Sequence, residues 1–270
     1  MPLRQLDSST LCSLRDILEL TEKYAINRFR QNIITQIEEG WPCTLRQWDE
    51  LESRGQPTII LSSGAFDSHP DPELLDPEAL FPEPASAIRL ARECNILTIL
   101  PAAFYHLSRL SIDNDWGEVQ GHGEAVKTGS AAEWSLLTAD DLRCLLKGQA
   151  KLKQAPREIL HFGFHRQEWP EVCSPEKRQK LLREIEAICI QSPDVLCTTR
   201  NYIEKQNDVN GICHLCNSHI RRDLATFREA LWRLLSDFFS LTSPNVPDHA
   251  IGTKTTKRPD PATTRYFMNS

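Results

Sequence analysis

The segment from residue 84 to residue 146 constrains the fold more than any other part of the chain, because its apolar residues recur at helical spacing. Helical patterns cover residues 85–95 and 97–110, and a third pattern begins at a capping-box sequence formed by Thr138 and Asp141. No pair of residues here is arranged for acid–base, nucleophilic or phosphate chemistry. The segment therefore predicts helices and no reaction.

Helical patterns also cover much of the chain on either side of this segment. They lie at residues 8–20 and 26–39, after Thr44, after Ser174, and in a long run at roughly 217–241. The apolar faces of the second helix and of the helix after Thr138 include Ile26, Phe29, Leu142 and Leu146. We expect the core to contain Leu14, Ile33, Leu90, Leu100, Leu145 and Leu231. The sequence predicts an all-α, helical bundle-like fold.

Composition divides the chain into four parts. Residues 1–63 and 85–241 carry the helical patterns, and residues 64–84 lie between them with five prolines, six acidic residues and no Lys or Arg. This acidic, proline-rich stretch is typical of a solvated linker, although it is also compatible with an acidic docking segment. Residues 242–270, rich in proline and threonine, predict a disordered tail.

The bulk properties exclude several classes of protein. A net charge of −6 argues against a nucleic-acid-binding protein. The chain has no apolar run of the roughly 20 residues that a transmembrane helix needs, which predicts a soluble protein without membrane contact. Nine scattered cysteines and no signal peptide favour a reducing compartment, so we expect an intracellular protein, cytoplasmic or nuclear. The motifs of the common enzyme classes are missing, and we expect no enzymatic activity.

Cys213 and Cys216 form a CxxC pair, the one arrangement in the sequence with metal-ligand spacing. A structural zinc site needs further ligands, and Cys173 is the best third because it also lies just before a helix. The fourth ligand is unknown; Cys197, His214 and His219 are the candidates. Two further interpretations stay open: ordinary cysteines at the start of a helix, or a redox-active pair.

Two other groups of residues are candidates for binding. His219, Arg221 and Arg222 form a basic cluster near the start of the last helix, where a phosphate or an acidic partner would explain them. A solvated helix face would explain them equally. His161 and His165 are four residues apart, and on a helix they would point the same way, as a metal-binding pair does.

The helical segments, in their order and spacing, resemble fungal (mushroom-type) BTB/POZ proteins. The resemblance covers about residues 3–241 and rests on LDSSTLCSLRDILELTEKYAINRFRQNII, ASAIRLARECNILTILPAAFYHLSRL, AEWSLLTADDLRCLLKGQAKL and the run from Cys213 to Leu241. It implies the C-terminal helices of a BTB domain followed by a BACK-like helical region. It also implies a non-enzymatic adaptor that binds partner proteins.

The strand half of a BTB domain, which supplies most of its dimer interface, has no counterpart in this sequence. We therefore do not expect BTB-type self-association. The alternative to an adaptor is a small zinc-stabilised helical module that binds an acidic or phosphorylated ligand.

Overall fold

The described residues form an all-α fold, which confirms the predicted fold class. The computed structural model describes residues 8–55, 83–115, 131–160, 173–204 and 212–241. Their α-helices are α1 (Ser8–Lys23), α2 (Asn27–Gly40), α3 (Leu45–Gly55), α4 (Pro84–Glu93), α5 (Leu100–Ser108), α6 (Ala139–Ala155), α7 (Pro175–Gln191), α8 (Val195–Glu204) and α9 (His214–Phe238). Within these ranges the only β pairing is one bridge between Asp115 and Ala132.

Local side-chain chemistry sets where the helices begin. The Thr138 hydroxyl accepts a hydrogen bond from the backbone N–H of Asp141 at 3.1 Å, and the Asp141 carboxylate accepts one from the Thr138 N–H at 3.2 Å. This reciprocal pair is the predicted capping box of α6. Ser174 caps α7 by accepting from the backbone N–H of Lys177, and Pro175 occupies its first turn.

Helix α4 begins at Pro84, so the last two residues of the predicted linker belong to the helix and its cap. The Glu83 carboxylate accepts hydrogen bonds from the backbone N–H groups of Ala85 at 2.9 Å and Ser86 at 2.6 Å. It also accepts one from the N–H of Glu133 at 3.0 Å, and Glu83 is only 3% exposed. Glu83 therefore satisfies N–H groups at the start of the helix that would otherwise have no partner. The acidic, proline-rich composition of residues 64–84 did not indicate this capping role.

Helices from both predicted helical parts share one core. Helix α1 packs on α4, and α3 packs on α9. Trp48 of α3 is fully buried, with its ring 5.1 Å from that of Tyr105 on α5 and 5.6 Å from that of Trp232 on α9. The first three helices are therefore part of the same packed body as the later ones.

The long helix α9 carries the central apolar stripe of this body. Ile220, Leu224, Leu231 and Leu235 are each fully buried at helical spacing. The helix begins three residues before the predicted residue 217, because Cys213 takes the N-cap position.

The close approach of α6 to the end of α9 depends on Gly148. A Cβ atom on Gly148 would lie 1.9 Å from Cδ1 of Phe239, so only glycine leaves room for the ring. Phe239 is fully buried and stacks on Phe104 of α5, with 5.5 Å between the ring centroids.

The six residues expected in the core are all buried, at 0 to 6% exposure, which confirms those predictions. Four other apolar residues of the predicted helical patterns are exposed. Ile26 and Phe29 are 49% and 51% exposed, and Leu142 and Leu146 are 37% and 65% exposed. The packed body therefore covers only part of these apolar patterns.

Several predicted features fall outside the described residues. They are residues 64–82 of the linker, the tail at 242–270, and the pair His161 and His165. Among the described helices, none is both long and apolar enough to cross a bilayer.

Candidate functional site

The structure brings together the three cysteines that the sequence predicted as zinc ligands. Cys173 lies just before the N-cap of α7, Cys213 is the N-cap of α9, and Cys216 lies in the first turn of α9. Their sulfur atoms all lie within 4.8 Å of one another. Cys216 is fully buried and Cys173 is 9% exposed, while Cys213 is half-buried. We call these three residues the thiol cluster.

The three thiols differ in their acidity. Hydrogen bonds from the backbone N–H of Cys216 and from the Cys173 thiol lower the pKa of Cys213. Burial, together with hydrogen bonding to Cys213 and Cys173, raises the pKa of Cys216 to about 11. The backbone N–H of Cys213 also points at the sulfur of Cys173, at 3.2 Å. The half-buried Cys213 is therefore the most acidic position of this CxxC pair.

The candidates for a fourth ligand lie in other environments. Cys197 belongs to a second group, in which its sulfur and carboxylate oxygens of Glu52 and Asp194 lie within 4.8 Å of one another. His219 shares a hydrogen bond with Arg222, at 2.8 Å from Nδ1 to Nη2. His214 is exposed in the first turn of α9. Within the described residues, no fourth Cys, His, Asp or Glu atom completes the thiol cluster.

The predicted basic cluster on α9 is partly neutralised within its own helix. Arg222 lies 4.0 Å from the Asp223 carboxylate as well as beside His219. Arg221 is close enough to Tyr202 of α8 to oppose the effect of burial, which raises the pKa of that phenol. Arg221 and Arg222 therefore each have neighbours within the fold that a ligand would have to compete with.

A buried network of charged residues, which no sequence pattern predicted, joins α3, α5, α8 and α9. The guanidinium of Arg109, at the end of α5, donates to the carboxylates of Glu52 on α3 and Asp194 before α8. Arg200 of α8 lies 3.8 Å from Glu52 and 3.9 Å from Asp49. Each of these arginine side chains is no more than 12% exposed.

Tyr105 ties this network to the backbone. Its hydroxyl donates to Oδ1 of Asp194 at 2.9 Å and accepts from the backbone N–H of Leu196 at 3.0 Å. Burial raises the pKa of Tyr105 well above its ordinary value, so the phenol stays protonated. Burial and the neighbouring Asp194 also raise the pKa of Glu52, while Arg109 acts in the opposite direction. These groups stabilise the junction between the helices. Each carboxylate of the network has a guanidinium group near it.

A groove of about 730 Å³ lies between α3, α8 and α9 beside this network. Four arginines line it: Arg46, Arg200, Arg222 and Arg228. Each lies within 4.0 Å of a carboxylate, on Glu50, Asp49, Asp223 and Asp49 respectively. An anionic ligand would have to compete with these carboxylates for the guanidinium groups.

The hairpin of α1 and α2 exposes an unusual number of large apolar side chains. Eleven large hydrophobic residues are exposed in the described part of the chain, and five of them lie between residues 17 and 29. We call these five the hairpin surface: Ile17, Leu20, Tyr24, Ile26 and Phe29. Their exposure runs from 38% at Ile17 to 65% at Tyr24. Scattered exposed apolar residues are normal, whereas a concentration such as this is typical of interaction surfaces.

Comparison of the chain with protein-family models, with curated proteins and with solved structures finds no match in any of the three. The resemblance to BTB proteins therefore stays a prediction.

Proposed function

We propose that this protein is a non-enzymatic adaptor that binds a partner protein through the hairpin surface. The observation that carries the proposal is the concentration of Leu20, Tyr24, Ile26 and Phe29, each about half exposed or more, around the turn between α1 and α2. Aromatic and aliphatic side chains of this kind supply the central contacts of protein interfaces. The resemblance to BTB proteins is consistent with this function.

Charges beside the hairpin surface indicate what the partner presents. Glu19, Glu22 and Lys23 are exposed on α1, and Arg28 is exposed at the start of α2. Lys23 lies over the ring of Tyr24, with Nζ 5.8 Å from its centroid. A partner with an apolar strip flanked by charges of both signs would match this arrangement. An amphipathic helix is the simplest element that offers such a strip.

The hairpin surface is held in place by the rest of the fold. Leu18 and Ile37 anchor the two helices in the core, at 1% and 0% exposure. Arg30 donates to the backbone carbonyl of Cys94 at 2.9 Å, and Thr98 donates to Glu38 at 2.7 Å. A surface that is rigid before binding loses less conformational freedom on association, which favours affinity.

The reducing environment predicted from the cysteines is part of this proposal. Eight cysteines, at positions 43, 94, 144, 173, 189, 197, 213 and 216, are free thiols. Because the nine cysteines are scattered along the sequence and odd in number, we propose that the adaptor acts inside the cell.

The test combines crosslinking in cells with reconstitution. A photoreactive residue at position 20 should crosslink a specific protein, while the same residue at position 146 serves as the control. Leu146 is also exposed, at 65%, but lies far along the chain on α6. The captured protein is then purified, and its affinity is measured for the wild type, for Leu20→Ser/Phe29→Ser and for Leu146→Ser.

We expect the double substitution to weaken binding by at least about tenfold, because truncating central apolar contacts costs more than about 1 kcal/mol. Leu146→Ser should bind as the wild type does. Equal affinity for both variants would overturn the proposal. Capture of a second copy of this chain, with a dimer lost in the double variant, would also overturn the adaptor function.

A further inference from the structure

We propose that Cys173, Cys213 and Cys216 bind one Zn²⁺ ion through their three sulfur atoms, with the fourth position open to water. Zinc–thiolate bonds of about 2.3 Å in a tetrahedron place the sulfurs roughly 3.8 Å apart. The three sulfurs already lie within 4.8 Å of one another, so small side-chain rotations would complete the geometry. The proposal is independent of the hairpin surface.

Two separate segments of the chain build this site. Cys173 comes from the start of α7, and Cys213 and Cys216 come from the start of α9, forty residues later. The backbone N–H of Cys213 lies 3.2 Å from the sulfur of Cys173 and points at it. Backbone N–H groups directed at sulfur are the usual outer contacts of a metal-bound thiolate.

The ligand type selects the metal. Three thiolates are soft ligands, which suit zinc, whereas calcium and magnesium require oxygen ligands. Binding displaces one proton from each thiol, so that three protons are released for each Zn²⁺ taken up and the site carries one net negative charge. That charge lies at the N-terminus of the 25-residue helix α9, where the helix dipole favours an anion.

The bound ion would join the starts of α7 and α9 and close the segment between Cys173 and Cys213. Such a tie stabilises the folded state because the site does not exist in the unfolded chain. It would also hold the half-buried Cys213 away from oxidants. In this proposal the metal acts as a tie between two helix starts, and water fills the fourth position because the described residues supply three ligands.

The experiment measures metal in the full chain and follows cobalt as a spectroscopic probe. Protein purified under reducing conditions should contain one zinc per chain by elemental analysis. After removal of the metal, Co²⁺ should produce the thiolate-to-cobalt charge-transfer band and the visible bands of a tetrahedral site, and added Zn²⁺ should abolish both.

Cys213→Ser is the decisive variant. Serine is a preferred N-cap residue, so the start of α9 should be retained while one sulfur is lost. Cys144→Ser, which removes a partly exposed thiol outside the cluster, is the matched control. We expect zinc to be lost from Cys213→Ser and kept by Cys144→Ser, with both variants helical by circular dichroism.

Three results would overturn the proposal. They are wild-type protein without zinc or a cobalt charge-transfer band, metal binding unchanged in Cys213→Ser, and a Cys213–Cys216 disulfide that forms in air while zinc is present. None of these measurements depends on a partner protein. Failure of the zinc site and failure of the adaptor function are thus distinguishable.

Discussion

The guanidinium of Arg228 on α9 donates two hydrogen bonds to the carboxylate of Asp49 on α3. One of them is 3.0 Å long, from Nη1 to Oδ2. The two residues are 179 positions apart in the chain. Arg200 of α8 contacts the same turn of α3, because its guanidinium donates to the backbone carbonyl of Asp49 at 3.1 Å. Asp49 therefore contacts both α8 and α9, and is one of the residues that join α3 to the C-terminal helices.

Replacing Asp49 with asparagine should destabilise the fold by about 3 kcal/mol. The change leaves the buried guanidinium of Arg228 without its charged partner, and an uncompensated buried charge is costly. Chemical denaturation measures the loss. Glu50→Gln is the matched control, since its exposed pair with Arg46 should contribute less than about 1 kcal/mol. Equal losses for the two variants would contradict a stabilising role for the buried network.

Replacing Gly148 with alanine should also destabilise the fold, by about 1–3 kcal/mol, because the new Cβ overlaps the ring of Phe239. Helix propensity alone would give the opposite sign, a gain of about 1 kcal/mol. The sign of the change in unfolding free energy therefore decides between the two effects. Lys147→Ala, at an exposed neighbouring position, should change the stability by less than about 0.5 kcal/mol.

Replacing Leu231 with alanine should cost about 2–5 kcal/mol, because this fully buried side chain leaves a cavity in the centre of α9's apolar stripe. Thermal or denaturant unfolding measures the change. Leu146→Ala removes the same atoms from a side chain that is 65% exposed, and should have little effect. A loss below about 0.5 kcal/mol for Leu231→Ala would show that α9 does not lie in the core.

In reduced, metal-free protein, iodoacetamide should label Cys213 faster than Cys189 near neutral pH. Iodoacetamide reacts with the thiolate form of cysteine, and the fraction of thiolate increases as the pH rises towards and beyond the pKa. Because the pKa of Cys213 is lowered, its rate should rise and level off at a lower pH than that of an ordinary thiol. Burial raises the pKa of Cys189 to about 12, so that thiol should react only in strong alkali.

Cys43 is the control that distinguishes the effect of thiol pKa from the effect of exposure on the labelling rate. It is exposed, yet burial of its sulfur and the nearby Glu38 raise its pKa. Mass spectrometry of the labelled peptides should therefore place Cys43 behind Cys213. The reverse order would mean that accessibility, and not the surroundings of the thiol cluster, controls reactivity.

Local sequence patterns were sufficient to predict eight of the nine α-helices in the described residues and the three residues of the thiol cluster, whereas α8 was not predicted. Thr138 and Asp141 act within one turn, and the spacing of Cys213 and Cys216 places both thiols at one helix start. Cys173 was found because it too precedes a helix. In each case the residues lie at the start of a helix, and a helix start can be recognised from a few consecutive residues.

The buried charge network could not be found in this way. Asp49, Glu52 and Arg200 look like ordinary surface charges, and their contacts join residues about 150 positions apart. Helical periodicity likewise did not separate the buried Ile33 from the exposed Phe29, because both lie on apolar faces. Which part of such a face is covered depends on how the helices pack, and that is decided by the whole chain.

The contact between Asp49 and Arg228 also determines when α3 can pack during synthesis of the chain. A ribosome adds roughly 5–20 residues each second, so Arg228 is made roughly 10–40 s after Asp49. During that interval α3 has no guanidinium from α9 to neutralise its carboxylate, and its face for Trp232 is open. The contact between α3 and α9 can therefore form only after α9 has been synthesised, and until then the side of α3 that packs on α9 lacks this partner.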